Sequence, residues 1–309
     1  MAGLLHQLLS VTVVLGAVQL ISGYSFKNCI ADPRSNGSLF NCISRKEEKM
    51  SAILHDLPTS AINLTISKTH YQSPCVTAFQ HRQSQVMSAE DPNPAATPTP
   101  CVDNQGDGRW MSLHNRFVSD SKDKEPDVLF VGDSLIQLMH QFGIWRQLFS
   151  PLHALNFGVG GDATQHVLWR LSNGELDNIS PKVVVLWVGT NNHGHTAEQI
   201  CGGIMAIIQV IKNKLPHART LVLGLLPRGK LPNPLRERNA NVNMLVQEAV
   251  SSLPHASFLS VDPGFVHSNG SISHQDMYDY LHLTPQGYQA VCEPLHAHLK
   301  SMLDKPAEN

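Results

Sequence analysis

The segment Asp127-Val-Leu-Phe-Val-Gly-Asp-Ser134 (DVLFVGDS) is an apolar run that stops at a glycine and gives way at once to polar side chains. A run without polar alternation is what a strand covered on both faces requires. Four similar runs follow, at His153–Phe157, Val183–Val188, Thr220–Leu226 and Ser257–Val261. Helical patterns lie between them, at Ser134–Leu148, Thr164–Leu171, Ala197–Leu215, Leu235–Leu253 and Thr284–Leu303. Pro216 ends the third, Pro234 precedes the fourth, and Thr284 with Pro285 opens the last as N-cap and first-turn residue. Alternation at this spacing predicts a parallel sheet, and right-handed crossovers then put helices on both faces. The expectation is an α/β fold, a three-layer α/β/α sandwich.

The totals set bounds on function. The chain has 309 residues, 42% hydrophobic, so it can bury a large core, and its net charge of −2 offers no basic surplus for nucleic acid. The seventeen histidines are scattered. His193 and His195 stand two apart in a glycine-containing loop with no third ligand placed nearby, so no metal site is expected. Cys29, Cys42 and Cys75 lie in the first quarter, Cys101 in a linker, and Cys201 and Cys292 on core-type helical segments. The last two read as buried reduced thiols. No regular cysteine framework covers this part of the chain, as expected of a reducing compartment.

The N-terminal part has a different character. Residues 1–23 resemble a signal peptide: Leu4 to Ile21 is mostly apolar and ends at Ser22-Gly23, although no basic segment precedes it. If secreted, the chain would offer glycosylation acceptors at Asn36 and Asn63. Residues 24–86, through Phe40-Asn-Cys-Ile and the stretch from Leu57 to Ser67, resemble the N-terminal cap of a Toll-like leucine-rich-repeat receptor. No repeats follow, and a cap alone cannot bury its apolar face, so a poorly ordered extension is expected. Residues 87–105, rich in Pro, Ala, Asp and Thr, read as a disordered linker, with Met87 a plausible start for an intracellular chain. The globular domain is expected over 106–303.

Three segments carry the chemistry. Ser134 follows a strand and opens a helix, which puts its hydroxyl where open α/β sheets form their crevices and near unpaired N–H groups. Taken alone, it is equally well an N-cap. Gly158-Val-Gly-Gly161 lets a backbone N–H approach a ligand without a Cβ in the way, or forms an ordinary tight turn. Asn191 offers an amide donor for an oxyanion, and its neighbour Asn192 serves as well on sequence grounds. Asp279 and His282 stand three apart, which brings a carboxylate towards an imidazole able to take a proton from serine. Asp276 is a rival acid. Trp169 and Trp187 read as core, and Arg228, Arg236 and Arg238 as solvated surface.

Gly132-Asp-Ser, Gly161, Gly-x-Asn and Asp-x-x-His resemble the SGNH (GDSL-type) hydrolase superfamily, whose four letters fall on Ser134, Gly161, Asn191 and His282. Within it, residues from about 105 to 300 closely resemble the catalytic subunits of intracellular platelet-activating-factor acetylhydrolase IB. The segments that carry this are GDGRWMSLHNRFV, FVGDSLIQLMH, LFSPLHALNFGVGGD, VLWVGTNNHGHTAEQ, LGLLPRG and GFVHSNGSISHQDMYDYLHLT. Leu135 and MYDYLHL resemble the gamma-type more than the beta-type subunit.

The resemblance implies a flavodoxin-like fold and a serine esterase that removes the sn-2 acetyl group of an ether phospholipid, with no metal or cofactor. Ser134, Asp279 and His282 are then catalytic. Ser134, Gly161 and Asn191 form the oxyanion hole, and Leu135, Thr190 and Leu281 line a small acyl pocket. It also implies a cytoplasmic homo- or heterodimer of catalytic subunits that binds the WD40-repeat lissencephaly protein. Two alternatives are a non-catalytic scaffold for that WD40 dynein regulator and an extracellular leucine-rich-repeat-type binding protein.

Overall fold

The computed structural model of the chain describes residues 92–304. The signal-peptide-like segment, the extension over 24–86 with its three cysteines, and the glycosylation acceptors lie outside the described residues.

Five parallel strands form one sheet: β1 (Val128–Gly132), β2 (Ala154–Gly158), β3 (Val183–Trp187), β4 (Arg219–Leu223) and β5 (Ala256–Leu259). Their order is β2-β1-β3-β4-β5, with Val128 paired to Ala154 on one side and Val183 on the other. Every residue of β1 and β3 is buried, whereas β5 at one edge is only half-buried throughout. The unbroken Val/Leu/Phe runs are thus the central strands, as the sequence requires of a sheet covered on both faces. The expected α/β/α sandwich is the observed fold.

The helices are α1 (Arg109–Asp123), α2 (Ser134–Met139), α3 (Thr164–Arg170), α4 (Ala197–Lys214), α5 (Pro234–Ser251) and α6 (Pro285–Asp304). Thr196 caps α4 reciprocally with Gln199, and Asn233 caps α5 through the N–H groups of Leu235 and Arg236. Thr284 accepts from Gly287 N–H, the cap expected for α6. The sequence reading did not anticipate α1. The helix expected over Ser134–Leu148 is also shorter than predicted. It stops at Met139, tightens through Gln141 and Phe142, and resumes as a wide turn over Trp145–Phe149. That break brings Trp145 and Phe149 both edge-on to Phe130 of β1, at 5.1 and 4.9 Å between ring centroids. Aromatic packing on the strand outweighs continuation of the helix.

Residues 87–105 are not a disordered linker over their described part. Pro94–Ala96 forms a helical turn capped by Asn93, and Ala95 is fully buried. Asn93 Nδ2 donates to the Gln199 carbonyl (3.0 Å), and Thr164 Oγ1 donates to the Ala95 carbonyl (2.7 Å). Composition suggested disorder because the segment has few apolar side chains. Its order comes from a close approach to α4 at Gly203, where a Cβ would sit 2.4 Å from the Ala95 carbonyl oxygen. The globular unit therefore begins before residue 106.

This contact yields a test. Gly203→Val should displace the 93–96 turn and cost about 1–3 kcal/mol through overpacking. Urea unfolding should show a lower midpoint with an unchanged slope. An unchanged midpoint would mean that the segment is not held by this contact.

Candidate active site

In this strand order, β1 is flanked by the strands that follow it in both directions, so the crossovers diverge at its carboxyl end and leave a crevice there. The loops after the strands converge on this crevice. Ser134 enters it directly from β1. Asp133 holds the turn, its Oδ1 accepting the Leu135 N–H at 3.0 Å. The Asp279–His282 turn precedes α6 and comes in from the far end of the chain.

His282 Nε2 lies 2.9 Å from Ser134 Oγ, and His282 Nδ1 lies 2.6 Å from Asp279 Oδ2. Asp279 Oδ1 accepts the backbone N–H groups of Leu281 (3.1 Å) and His282 (2.7 Å). Burial pushes the Asp279 pKa up. The His282 backbone and ring and the Leu281 N–H more than offset this, leaving it below the usual carboxylate value. An ionised Asp279 accepting from Nδ1–H leaves Nε2 facing the serine hydroxyl as proton acceptor. The turn is held open by Tyr280, which adopts a left-handed φ of 64° and whose hydroxyl meets His274. Tyr278 stacks on the His282 ring at 5.8 Å. Asp276, the rival acid, lies instead 3.8 Å from His267.

The three expected oxyanion donors stand on the loops after β1, β2 and β3, and a Cβ at Gly160, beside Gly161, would lie 3.9 Å from Ser134 Cβ. Gly161 has a φ of 85° and an exposed backbone. Among the described residues, neither the Ser134 nor the Gly161 N–H has an acceptor. Asn191 Nδ2 donates one hydrogen to the Asp162 carbonyl (3.1 Å), which fixes the amide and leaves its second hydrogen available. The choice between the two asparagines is decided by burial. Asn192 is buried, accepts the Thr164 N–H (3.0 Å) as the cap of α3, and donates to Thr164 Oγ1 (2.8 Å). Its amide is committed to holding loops together. Thr190 is buried next to Asn191, Leu135 is buried next to Ser134, and Leu281 is half-buried next to His282.

Several residues that the sequence reading passed over support this constellation. Arg170, fully buried, donates Nε to Asp162 Oδ2 (2.8 Å), Nη1 to Glu175, and Nη2 to the Phe157 carbonyl (3.1 Å). Trp110 Nε1 donates to the other Asp162 oxygen (2.7 Å), and His114 Nδ1 lies 2.9 Å from Glu175. The sequence signal was a lone arginine on the apolar face formed by Val167, Leu168 and Leu171. Arg228, Arg236 and Arg238 are not the solvated surface expected of them. Each is half-buried and bonded to backbone carbonyls, because loops at the crevice leave carbonyls that need donors. Trp187 is core, as expected. Among the described residues, no group of three or more metal-ligating side chains converges.

Comparison with known proteins supplies the family. Residues 130–290 match the GDSL-like lipase/acylhydrolase family. Platelet-activating factor acetylhydrolase IB subunit alpha1 of Homo sapiens is 68% identical over 217 residues, covering 70% of this chain and 94% of that protein. Subunit alpha2 of Rattus norvegicus is 61% identical over 222 residues, covering 72% and 97%. A solved GDSL-like lipase from Bacteroides thetaiotaomicron is 18% identical with a TM-score of 0.51, covering 62% of this chain and 97% of that one. At that identity the likeness concerns the fold alone.

Asp133 gives a pH prediction. Burial pushes its carboxyl pKa up from 3.8 to about 7, the Leu135 N–H opposing and the Asp162 charge adding to the rise. Between those values the folded chain holds a proton that the unfolded chain has released. Stability should therefore fall as pH rises through this window, by up to about 4 kcal/mol. Asp133→Asn, which keeps an N-cap acceptor, should flatten the dependence of the urea midpoint on pH between about 4 and about 7. An identical slope in the variant would contradict the buried-acid reading.

Proposed function

The chain belongs to the GDSL-like lipase/acylhydrolase family and is a carboxylic ester hydrolase, and from that premise we propose that it removes the sn-2 acetyl group of platelet-activating factor and related short-chain acyl ether phospholipids. The observation that carries the reading is the hydrogen-bonded chain from Ser134 through His282 to Asp279, at 2.9 and 2.6 Å. Ser134 Oγ attacks the acetyl carbonyl while His282 Nε2 takes its proton. The charge that develops on the carbonyl oxygen is met by the Ser134 and Gly161 N–H groups and the Asn191 amide. Collapse of the tetrahedral species expels the glycerol oxygen, which takes the proton from His282. Water, deprotonated by the same nitrogen, then cleaves the acetyl-serine. Asp279 holds the neutral ring in one tautomer and stabilises the imidazolium that forms at each proton transfer.

The acetyl preference rests on side chains flanking the reacting atoms. Leu135 follows the nucleophile and Leu281 precedes the base, with Thr190 beside the oxyanion asparagine. On this reading their bulk restricts the acyl group to a short chain. The reading further makes the protein a cytoplasmic catalytic subunit that pairs with itself or a related subunit and binds the WD40-repeat lissencephaly protein. Support for the pairing comes from the relatives, which are named as subunits.

Ser134→Ala should lower hydrolysis of acetyl esters by about 10⁴-fold or more, with circular dichroism and thermal unfolding unchanged. Near-normal turnover by the purified variant would sink the nucleophile assignment. For the acyl pocket, kcat/KM should fall steeply as the sn-2 chain lengthens beyond a few carbons, each unaccommodated extension costing about 1–3 kcal/mol. Leu135→Ala and Leu281→Ala should relax that preference. Equal rates on acetyl and long-chain esters by the unmodified enzyme would replace the pocket reading with a broad-specificity esterase.

A further inference from the structure

Among the described residues, no carboxylate forms an ion pair with Arg228 or Arg238, two cations near the catalytic residues. Arg228 follows β4, on the loop that faces the catalytic turn. Gly229 N–H donates to the Tyr280 carbonyl (2.8 Å), which ties the two loops together. The Arg228 carbonyl in turn accepts from Asn233 Nδ2 (2.7 Å) and Arg236 Nε (3.1 Å). Arg236 uses its other nitrogens on the Gly229 and Gly270 carbonyls. The backbone that carries Arg228 is thus fixed, and Arg236 is occupied in fixing it.

The Arg228 side chain is only partly used. Nη1 donates to the Thr190 carbonyl (3.0 Å) and Thr190 Oγ1 (3.2 Å). Among the described residues, its Nε and Nη2 have no acceptor. The buried side-chain polar atoms without a partner are Thr220 Oγ1 and Arg238 Nε, so the unused Arg228 nitrogens reach solvent. Arg238 lies behind, donating Nη1 to the Asn192 carbonyl (2.9 Å) and Nη2 to the same Thr190 carbonyl (3.1 Å). Two guanidinium groups therefore converge on one neutral carbonyl oxygen, next to Asn191. A carbonyl dipole does not balance two half-buried positive charges.

Burial lowers the Arg228 pKa, with Asp133 and Asp279 opposing it, which marks these two carboxylates as the acids whose fields reach it. Neither is within ion-pair distance. Asp133 is bonded to the Leu135 N–H and Asp279 to His282. The guanidinium stays charged at any physiological pH.

We propose that Arg228, backed by Arg238, forms an anion subsite that receives the phosphate of the substrate beside the ester being cleaved. This rests on the reading that the substrate is an ether phospholipid. In such a lipid, the glycerol backbone holds the phosphate a short reach from the sn-2 ester. The free Nε and Nη2 of Arg228 form the edge that binds two phosphate oxygens in parallel, a geometry that lysine does not reproduce. Arg238 adds charge from behind without contacting the ligand. The cation pair then acts as a specificity determinant, selecting the phosphate-bearing acetyl ester over neutral acetyl esters that fit the same acyl pocket.

The test uses the full chain and a matched pair of substrates: 1-O-alkyl-2-acetyl-glycerophosphocholine and 1-O-alkyl-2-acetylglycerol, the same lipid without its phosphate. 4-Nitrophenyl acetate reports the esterase chemistry itself, and glycerophosphocholine is tested as a competitor against it. The unmodified enzyme should prefer the phosphate-bearing lipid. In Arg228→Gln that preference should shrink by about tenfold or more, through KM more than kcat, and glycerophosphocholine should inhibit about tenfold more weakly. Arg228→Lys should recover part of both. If Arg228→Gln lowers kcat/KM equally for both lipids and leaves inhibition unchanged, the arginine merely supports Thr190 and the proposal is overturned. If the unmodified enzyme cleaves 4-nitrophenyl acetate but neither lipid, the substrate reading fails by itself. The inhibition arm then decides: weaker inhibition of the variant supports the subsite, and equal inhibition overturns it.

Discussion

The guanidinium of Arg170 holds the active-site end of the sheet in one arrangement. It is buried with both of its acids, Asp162 and Glu175. Breaking such a pair on one side costs about 3–5 kcal/mol, because the remaining charge is left in an apolar interior. Each of its bonds therefore acts as a constraint. The contact to the Phe157 carbonyl fixes the end of β2, and the contact to Asp162 fixes the residue after Gly161. The Asp162 carbonyl then orients Asn191. One buried cation thus registers Gly161 and Asn191, the proposed oxyanion donors, against each other, while it is itself buried.

The strand order explains why this region needs such a device. Ser134, Gly161 and Asn191 come from loops after three different strands, and each loop has its own freedom. The Asp279–His282 turn is not fixed by the sheet at all. It is held by its own Asx-type bonds, by the Tyr280–His274 contact and by the Gly229–Tyr280 bridge. The left-handed backbone at Tyr280 is tolerated because these contacts over-determine it. These contacts keep His282 in reach of a serine 148 positions away.

Asn191 and Asn192 show how burial divides labour between neighbours. Both follow β3 and both carry the same functional group. Asn192 points into the protein and joins α3 to the loop, while Asn191 keeps one hydrogen free at the crevice. Thr190, just before them, is held by Arg228 and Arg238. The segment from 190 to 192 is therefore tied down on both sides, which suits the oxyanion role proposed for Asn191.

The sequence by itself determined the sheet and the candidate site. Unbroken apolar runs such as Val183–Val188 have no other stable use than a doubly covered strand, and their order with the helices dictated the sandwich. Ser134, Asp279 and His282, which the fold brings into hydrogen-bond contact, could be singled out because their types and their places after a strand or in a tight turn are themselves local facts. What local patterns did not carry was decided by tertiary structure. Ala95 is ordered because Gly203, more than a hundred residues later, leaves room for its backbone. The helix after Ser134 breaks because Trp145 and Phe149 both pack on Phe130. Arg228 and Arg238 are drawn in from the surface by loop carbonyls, and Arg170 is buried because two acids from its own neighbourhood meet it there. Except for Arg170, whose acids stand only eight and five residues away, the deciding contact joins segments that no short window of sequence contains together.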